Sequence, residues 1–516
     1  MSRNSELAAA TLGHLAGLGV RQFVVCAGAR NAPLVTSLLA VGKTKSLKVW
    51  HHFDERTAAF FALGLSRGGS EPVAVLTTSG TAAAELLPAA IEGYYTGVPL
   101  VLVTADRPEW YRGSGAPQAI EQRGLFGVYT PLSIDVQRRK DLSWVIKWDR
   151  KAPMHLNVCF EEPRAEDRVT EFKTVVMPDP AVVDDDGISG KIADFVRGKE
   201  HPVCLLGSIP TEWRKAVRKF LKRSGIPFWA EATSGLRECE DLADQQVIRE
   251  SAIAALDPDA ILRIGGVPSL RFWRELETLR GIEVLSVSPY PFSGLARHSE
   301  LIACSGFPAK IEVVAQQQEV DSVKSRLESV IEKFPKSEPA MMRAVAELIP
   351  KKAMVFLGNS MPIREWNLAA PLTPHPNCFA NRGANGIDGE VATFLGLSEG
   401  EKESWGIFGD LTALYDLNAP GILSQLPKGR RRIVVMNNGG GRIFSRLPSM
   451  AGLKTDEKQV TENHHRRRFD AWAEMWDMKY VVWRAGKPAP EVKGENVLIE
   501  VLLENSATES FWKKMA

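Results

Sequence analysis

No stretch of the 516-residue sequence approaches the ~20 consecutive uncharged apolar residues that span a bilayer. The first twenty residues, MSRNSELAAATLGHLAGLGV, have an amphipathic helical rhythm but no basic segment followed by an apolar core and cleavage site. Neither a membrane partner nor a secretory leader is expected. An excess of charge is missing too. Sixty-four Lys and Arg against 62 Asp and Glu leave a formal charge of +2, so no global field recruits nucleic acid and any anion recognition is local. The two basic runs, KGRRR (428–432) and HHRRR (464–468), read as solvated surface. The six cysteines, Cys26, Cys159, Cys204, Cys239, Cys304 and Cys378, form no C-x-x-C pair, which argues against a disulfide framework or zinc site and for the cytoplasm. No strand end carries G-x-G-x-x-G, which disfavours a nicotinamide dehydrogenase, and no period of about 20–50 residues repeats, which disfavours a solenoid.

What is present is a series of short apolar runs ending in Gly, Ser, Thr or Asp and followed by helical patterns. They include FVVCAG (23–28), VAVLTTSG (73–80), VPLVLVTAD (98–106), VCLLGS (203–208), AILRIGG (260–266), MVFLGNS (354–360), ESWGIFGD (403–410) and RIVVMNN (432–438). Continuous apolar strands of this kind suit parallel sheets buried on both faces, so the expected class is α/β, repeated as doubly wound domains. At ~100–200 residues per domain the length suggests three. The acidic, proline-bearing stretch 159–187 and EKFPKSEP (332–339) look like linkers, placing seams near 175 and 345 and giving domains 1–175, 176–345 and 346–516. In such sheets ligands collect beyond the carboxyl ends of strands, which directs attention to Ser79, Gly80 and Thr81 and to Gly358, Asn359 and Ser360.

Asp410 closes one strand and Asn438 the next, so their side chains can converge over one sheet edge. A carboxylate, an amide oxygen and a loop carbonyl from the glycines at 439–441 are hard ligands suited to Mg²⁺ holding a diphosphate. A structural Asp cap and an unrelated Asn-Gly turn remain the alternative on spacing alone.

The sequence G-D-x followed by 25 residues and N-N resembles the thiamine-diphosphate signature, with Leu411 in place of its usual third glycine. GDLTALYDLNA with NNGGGRIFSRLP resembles one branch, the 2-succinyl-5-enolpyruvyl-6-hydroxy-3-cyclohexene-1-carboxylate (SEPHCHC) synthases of menaquinone biosynthesis. HFDERTAAFFALGLSR (52–67), TTSGTAAAELLPAAIEGYYTGVPLVLVTADRP (77–108), GAPQAIEQ (115–122), GNSMPIR (358–364) and NRGANGIDG (381–389) match in order. The middle third matches loosely, through PFWAEATSGLR and GGVPSLRFW.

The resemblance implies a pyrimidine-binding domain (1–175), a central Rossmann-like domain (176–345) and a diphosphate-binding domain (346–516). It implies thiamine diphosphate with Mg²⁺, Mn²⁺ being a substitute, held by Asp410, Asn438 and the carbonyl of Gly440. Ser79, Gly80, Ile387, Gly409, Leu411 and Thr412 would contact the cofactor. Glu55 would activate its pyrimidine, in an apolar setting with Phe53, Phe60 and Phe61 close in sequence that raises its pKa. Gln118 would orient reacting groups. Arg30, Arg107, Arg271, Arg364 and Arg382 would receive the dianions 2-oxoglutarate and isochorismate, with Ser360 and the apolar wall Ile443, Phe444 and Leu447. The reaction implied is decarboxylation of 2-oxoglutarate and 1,4-addition of the succinyl remainder to isochorismate, in a homodimer or homotetramer whose sites lie at subunit interfaces. Read without the resemblance, Glu55 is also a helix-start surface acid, Ile387 a core residue, Gln118 and Ser360 structural groups, and each arginine half of a surface pair. Ala27 and Ala29 stand where relatives more often have Pro and Ser, and Phe272 where some have a second cation. An acetolactate synthase or 2-oxo-acid decarboxylase would share Glu55 and the metal signature but lack GNSMPIR and NRGANGID.

Overall fold

The computed structural model describes residues 1–69, 71–178, 187–315, 324–372, 377–450 and 452–515. Among these residues the strands form three sheets, and every pairing within them is parallel. The first has the order Lys48–His51, Gln22–Val25, Val73–Thr77, Leu100–Asp106, Met154–Cys159, Leu132–Val136. The third has the order Cys378–Phe379, Met354–Leu357, Glu403–Gly409, Arg430–Asn437, Asn496–Leu502, Lys479–Arg484, which is the same topology. The second has five strands: Glu300–Ala303, Glu283–Ser288, Ala260–Ile264, Pro202–Leu206 and Phe228–Ala230. Each of the eight quoted apolar runs contains a strand. Central ones such as Val73–Thr77 and Leu100–Asp106 are buried at every position, the pattern of strands covered on both faces.

The chain divides into two compact units, residues 1–181 with 383–400 and 415–428, and residues 182–382 with 401–414 and 429–516. In the first unit the helix Glu390–Leu397 crosses the helix Glu55–Gly69 at two glycines. A Cβ at Gly64 would stand 2.1 Å from the Thr393 carbonyl oxygen, and one at Gly396 would stand 2.2 Å from that of Phe61. Only hydrogen fits at either position, so the helices meet backbone to backbone. In the second unit the middle and third sheets each have their own core, one around Trp213, Phe220 and Phe228 and one around Trp366, Trp405 and Ile499.

Three expectations are corrected here. Arg431 and Arg432 are buried, not solvated, because they open a central strand of the third sheet. Their guanidinium groups donate to the carbonyls of Gly429 and Glu495. Residues 332–339 are not an open linker; they include the turn between the helices Lys324–Lys333 and Glu338–Leu348. Part of the acidic stretch is likewise packed, with Phe172 in the first core and the Val175 N–H donating to the Gly13 carbonyl; its residues 179–186 lie outside the described set. The six cysteines are free.

Candidate active site

Two sheets of one topology place their switch points at equivalent strand ends, which is where open α/β sheets bind ligands. In the first unit these ends are residues 26–31 and 78–81. A Cβ at Gly28 would lie 2.5 Å from Thr78, so the two loops touch and only glycine allows it. Ser79 is buried. Its hydroxyl accepts from Arg107 (3.1 Å), and the same guanidinium nitrogen donates to the Gln118 carbonyl (2.7 Å). Gly80, at φ 85°, donates its N–H to Gln122 Oε1 and lies against the exposed Gln118, itself at φ 57°. Ser79, Gly80, Arg107 and Gln118 are thus one cluster. Arg30 is committed elsewhere, pairing with Glu162 (3.0 Å) and donating to the Glu161 carbonyl.

Glu55 begins its helix half-buried. Burial first, then the charges of Asp54 and Glu85, holds its carboxyl above the ordinary glutamate range. The expected aromatic setting is partly wrong: Phe60 and Phe61 are buried, but Phe53 points outward at 66% exposure. Neighbouring Asp54 moves the other way. Burial opposes the shift, but hydrogen bonds from the Thr57 N–H (3.0 Å), Asn418 Nδ2 (3.1 Å) and the Thr57 hydroxyl (2.9 Å) bring it below the usual value. Adjacent carboxyls pushed apart in this way divide acid from base.

The segment carrying Ile387 belongs to the same unit and is pinned at both ends. Glu92 accepts from the N–H groups of Gly383 (2.9 Å) and Ala384 (2.7 Å). At the far end Gly389, at φ 71°, has no room for a Cβ against the Phe60 ring (2.0 Å). Its N–H donates to Asp416, a buried acid that desolvation pushes up to about 7. Ile387 itself is half-exposed on this loop.

In the second unit Gly409 ends a strand, and Asp410 opens a short helix that includes Leu411 and buried Thr412. One Asp410 oxygen accepts from three successive N–H groups, Asn438 (3.1 Å), Gly439 (2.7 Å) and Gly440 (3.1 Å); the other accepts from Leu411 (2.7 Å). The run of donors forms a nest. Gly440, at φ 141°, cannot be replaced because a Cβ would meet the Glu462 carbonyl oxygen at 2.5 Å. Asn438 Oδ1 is buried without a hydrogen-bond partner beside this carboxylate. Such an orphan typically costs ~1–3 kcal/mol, a penalty that a cation would remove. Among the described residues no cluster of three His, Cys, Asp or Glu could hold a metal, so a site here depends on the mixed set Asp410, Asn438 and the Gly440 carbonyl, which fits a hard divalent ion. A Cβ at Gly441 would lie 3.4 Å from both Leu411 Cδ1 and the Phe444 ring, so Leu411 packs where the signature's usual glycine leaves space. Ile443 and Leu447 flank Phe444 on the same turn, all three half-exposed.

At the other strand end of this sheet, Ser360 sits at φ 67°, and its carbonyl accepts from Arg364 (2.6 Å). Burial, then Arg382, pulls the Arg364 guanidinium below its ordinary value, with Glu231 and Glu250 opposing. Arg382 donates to Asn359 (2.9 Å) and pairs with fully buried Glu231 (3.3 Å). A cavity of about 530 Å³ is lined by Arg364 and Arg271 together with Arg249, Glu250, Trp229 and Trp512. Arg271 lies on its rim, largely exposed and paired with Glu275 one helical turn on.

A family model described as thiamine pyrophosphate enzyme, N-terminal TPP binding domain, matches residues 5–125. Over 99% of its length the chain is 39% identical to the SEPHCHC synthase of Bdellovibrio bacteriovorus, covering 98% of that relative. The chain belongs to the SEPHCHC synthase family. The SEPHCHC synthase of Akkermansia muciniphila is 39% identical over 96% of each chain. That of Lysinibacillus sphaericus is 30% identical over 90% of this chain and 88% of its own. Seen as a member of this family, the chain has site neighbours that its motifs do not reveal. His465, inside a run read as wet surface, brings Nε2 to 3.4 Å from Asp410. Glu338 accepts from the Asn438 amide at 3.1 and 3.3 Å, from 100 residues earlier in the chain. Burial drives both Glu338 and the adjacent buried Glu365 upward, and Asp410 adds to the rise at Glu338. No local pattern marks these side chains; only folding brings them to the site.

Proposed function

We propose that this protein is a SEPHCHC synthase that uses thiamine diphosphate and Mg²⁺, or Mn²⁺ in its place, and acts on 2-oxoglutarate and isochorismate. The observation that carries the reading is the buried, unpartnered Asn438 Oδ1 beside an Asp410 carboxylate gripped by the glycine nest, in a chain of this family. Asp410, Asn438 and the Gly440 carbonyl would hold the ion. Gly409, Leu411 and Thr412 would face the diphosphate, and Ser79, Gly80 and Ile387 the thiamine rings. Thiamine diphosphate, when bound, supplies the carbanion chemistry by which 2-oxoglutarate loses CO₂ and its succinyl remainder adds 1,4 to isochorismate.

The chain's part is to place charge and protons. Glu55, raised by burial and by Asp54 and Glu85, shares a proton with the pyrimidine nitrogen N1′. Arg364 and Arg382, half-buried beside Ser360, receive substrate carboxylates where water screens little. Arg107 and Gln118 flank Ser79 and orient the acceptor; Arg30 and Arg271, each holding a carboxylate partner already, exchange it for substrate. Ile443, Phe444 and Leu447 form the apolar wall. The assembly is a homodimer or a pair of dimers in the cytoplasm, an acid of one copy serving the cofactor whose diphosphate the other copy anchors. The domain seams are near 175 and 345.

The test is incubation with both substrates, thiamine diphosphate and Mg²⁺, following CO₂ and the isochorismate absorbance. Release of CO₂ in step with isochorismate loss is expected. Steady CO₂ release with isochorismate untouched would identify a simple 2-oxo-acid decarboxylase instead.

A further inference from the structure

An asparagine amide is nearly symmetrical in shape, and which end it presents is decided by what lies behind it. Behind Asn438 lies Glu338. The amide nitrogen sits 3.1 and 3.3 Å from the two carboxyl oxygens, and Oδ1 is the end left buried and without a partner. We propose that Glu338 is a positioning residue: it locks the Asn438 amide with its nitrogen inward, so that oxygen is the atom offered to the divalent ion. The inference rests on the metal reading given above.

The rest of Asn438 is already fixed. Its N–H donates to Asp410, and its carbonyl accepts from Asn505 (3.0 Å). Rotation of the terminal amide is the freedom that remains. While Glu338 is ionised, turning the amide over would set Oδ1 against the two carboxyl oxygens that now accept from its nitrogen and point an NH₂ group at a cation, an error at both ends. Glu338 is a firm stop. It is 2% exposed, it begins the helix Glu338–Leu348 behind the capping Ser337, and its own N–H donates to Thr508 Oγ1 (2.9 Å). Arg446 and Arg442 contribute positive charge toward it, which keeps a buried acid tolerable there. Groups that orient a metal ligand from behind commonly change metal affinity by ~10–100-fold when removed.

The experiment is a double-mutant cycle on the full-length protein, reading Mn²⁺ affinity by electron paramagnetic resonance in the presence of thiamine diphosphate, with thermal midpoints of the metal-free proteins as folding controls. Glu338→Ala is expected to weaken Mn²⁺ binding by roughly 10–100-fold. Asn438→Asp offers two equivalent oxygens and needs no orienting group. In that background Glu338→Ala should change affinity by less than about 3-fold, or tighten it as a like charge is removed. Equal losses in both backgrounds, or no loss in the first, would overturn the proposal. If Glu338→Ala does not fold, Glu338→Met keeps the volume, lacks both acceptors and takes its place under the same criteria. Failure of the unsubstituted protein to bind Mn²⁺ would instead overturn the metal reading, and it would be seen before any substitution is made.

Discussion

The first and third sheets share one strand order yet equip their strand ends in opposite ways. In the third, three backbone N–H groups from the turn after Arg430–Asn437 and that of Leu411 close on the Asp410 carboxylate. In the first, the helix that follows Lys48–His51 starts with Glu55, an acid flanked by other acids and raised in pKa. The same scaffold therefore makes an acceptor gripped by the backbone in one place and an acid raised in pKa in the other. Topology says where a ligand sits; the donors each loop supplies say what the acid there can do.

Substitutions at either region should separate these roles. Asp410→Ala removes the acceptor that organises the nest and should lower turnover by a factor on the order of 10³ or more, because the ion's stabilisation amounts to several kcal/mol. A tryptophan-quenching titration with thiamine diphosphate should also lose its Mg²⁺ dependence. Arg364→Leu should raise KM for the anionic substrates by roughly 10–100-fold, the worth of a charge-assisted hydrogen bond, with a smaller effect on kcat. Steady-state kinetics at saturating cofactor check it. Gly396→Ala, at its crossing with the helix Glu55–Gly69, should cost about 1–3 kcal/mol in a denaturant titration while Mg²⁺ affinity in the other unit holds.

A separate effect is on pH. Asp416 has a folded value of about 7 against an ordinary 3.8, so the folded state favours its protonated form. Its contribution to stability is fully present below about 4 and is lost as pH rises through about 7. Asp416→Asn should flatten the unfolding profile across that window.

Much of the fold is legible in the sequence because parallel α/β sheets write themselves in apolar runs. Val73–Thr77, Glu403–Gly409 and Arg430–Asn437 each announce a buried strand. Edge strands such as Lys48–His51 and Cys378–Phe379 do not; one is largely open to solvent and the other is only two residues long. Arg431 and Arg432 look like surface by composition and are buried by register, their charge absorbed by carbonyls that sequence cannot place. Phe53 misleads in the reverse direction. In the second unit Asp410 and Asn438 stand out because each directly follows one of two neighbouring apolar strands, Glu403–Gly409 and Arg430–Asn437. Glu338 and His465 do not, because each reaches Asn438 or Asp410 by tertiary contact and carries no motif.

In the proposed function Glu55 drives proton loss at C2 of bound thiamine diphosphate. That role is tested most directly by hydrogen–deuterium exchange at C2 of thiamine diphosphate bound to the unsubstituted protein and to Glu55→Gln, both with Mg²⁺ and at matched occupancy. Fast exchange is expected in the first and a rate near that of free thiamine diphosphate in the second, with cofactor affinity largely kept. Equal exchange rates in the two proteins would contradict it.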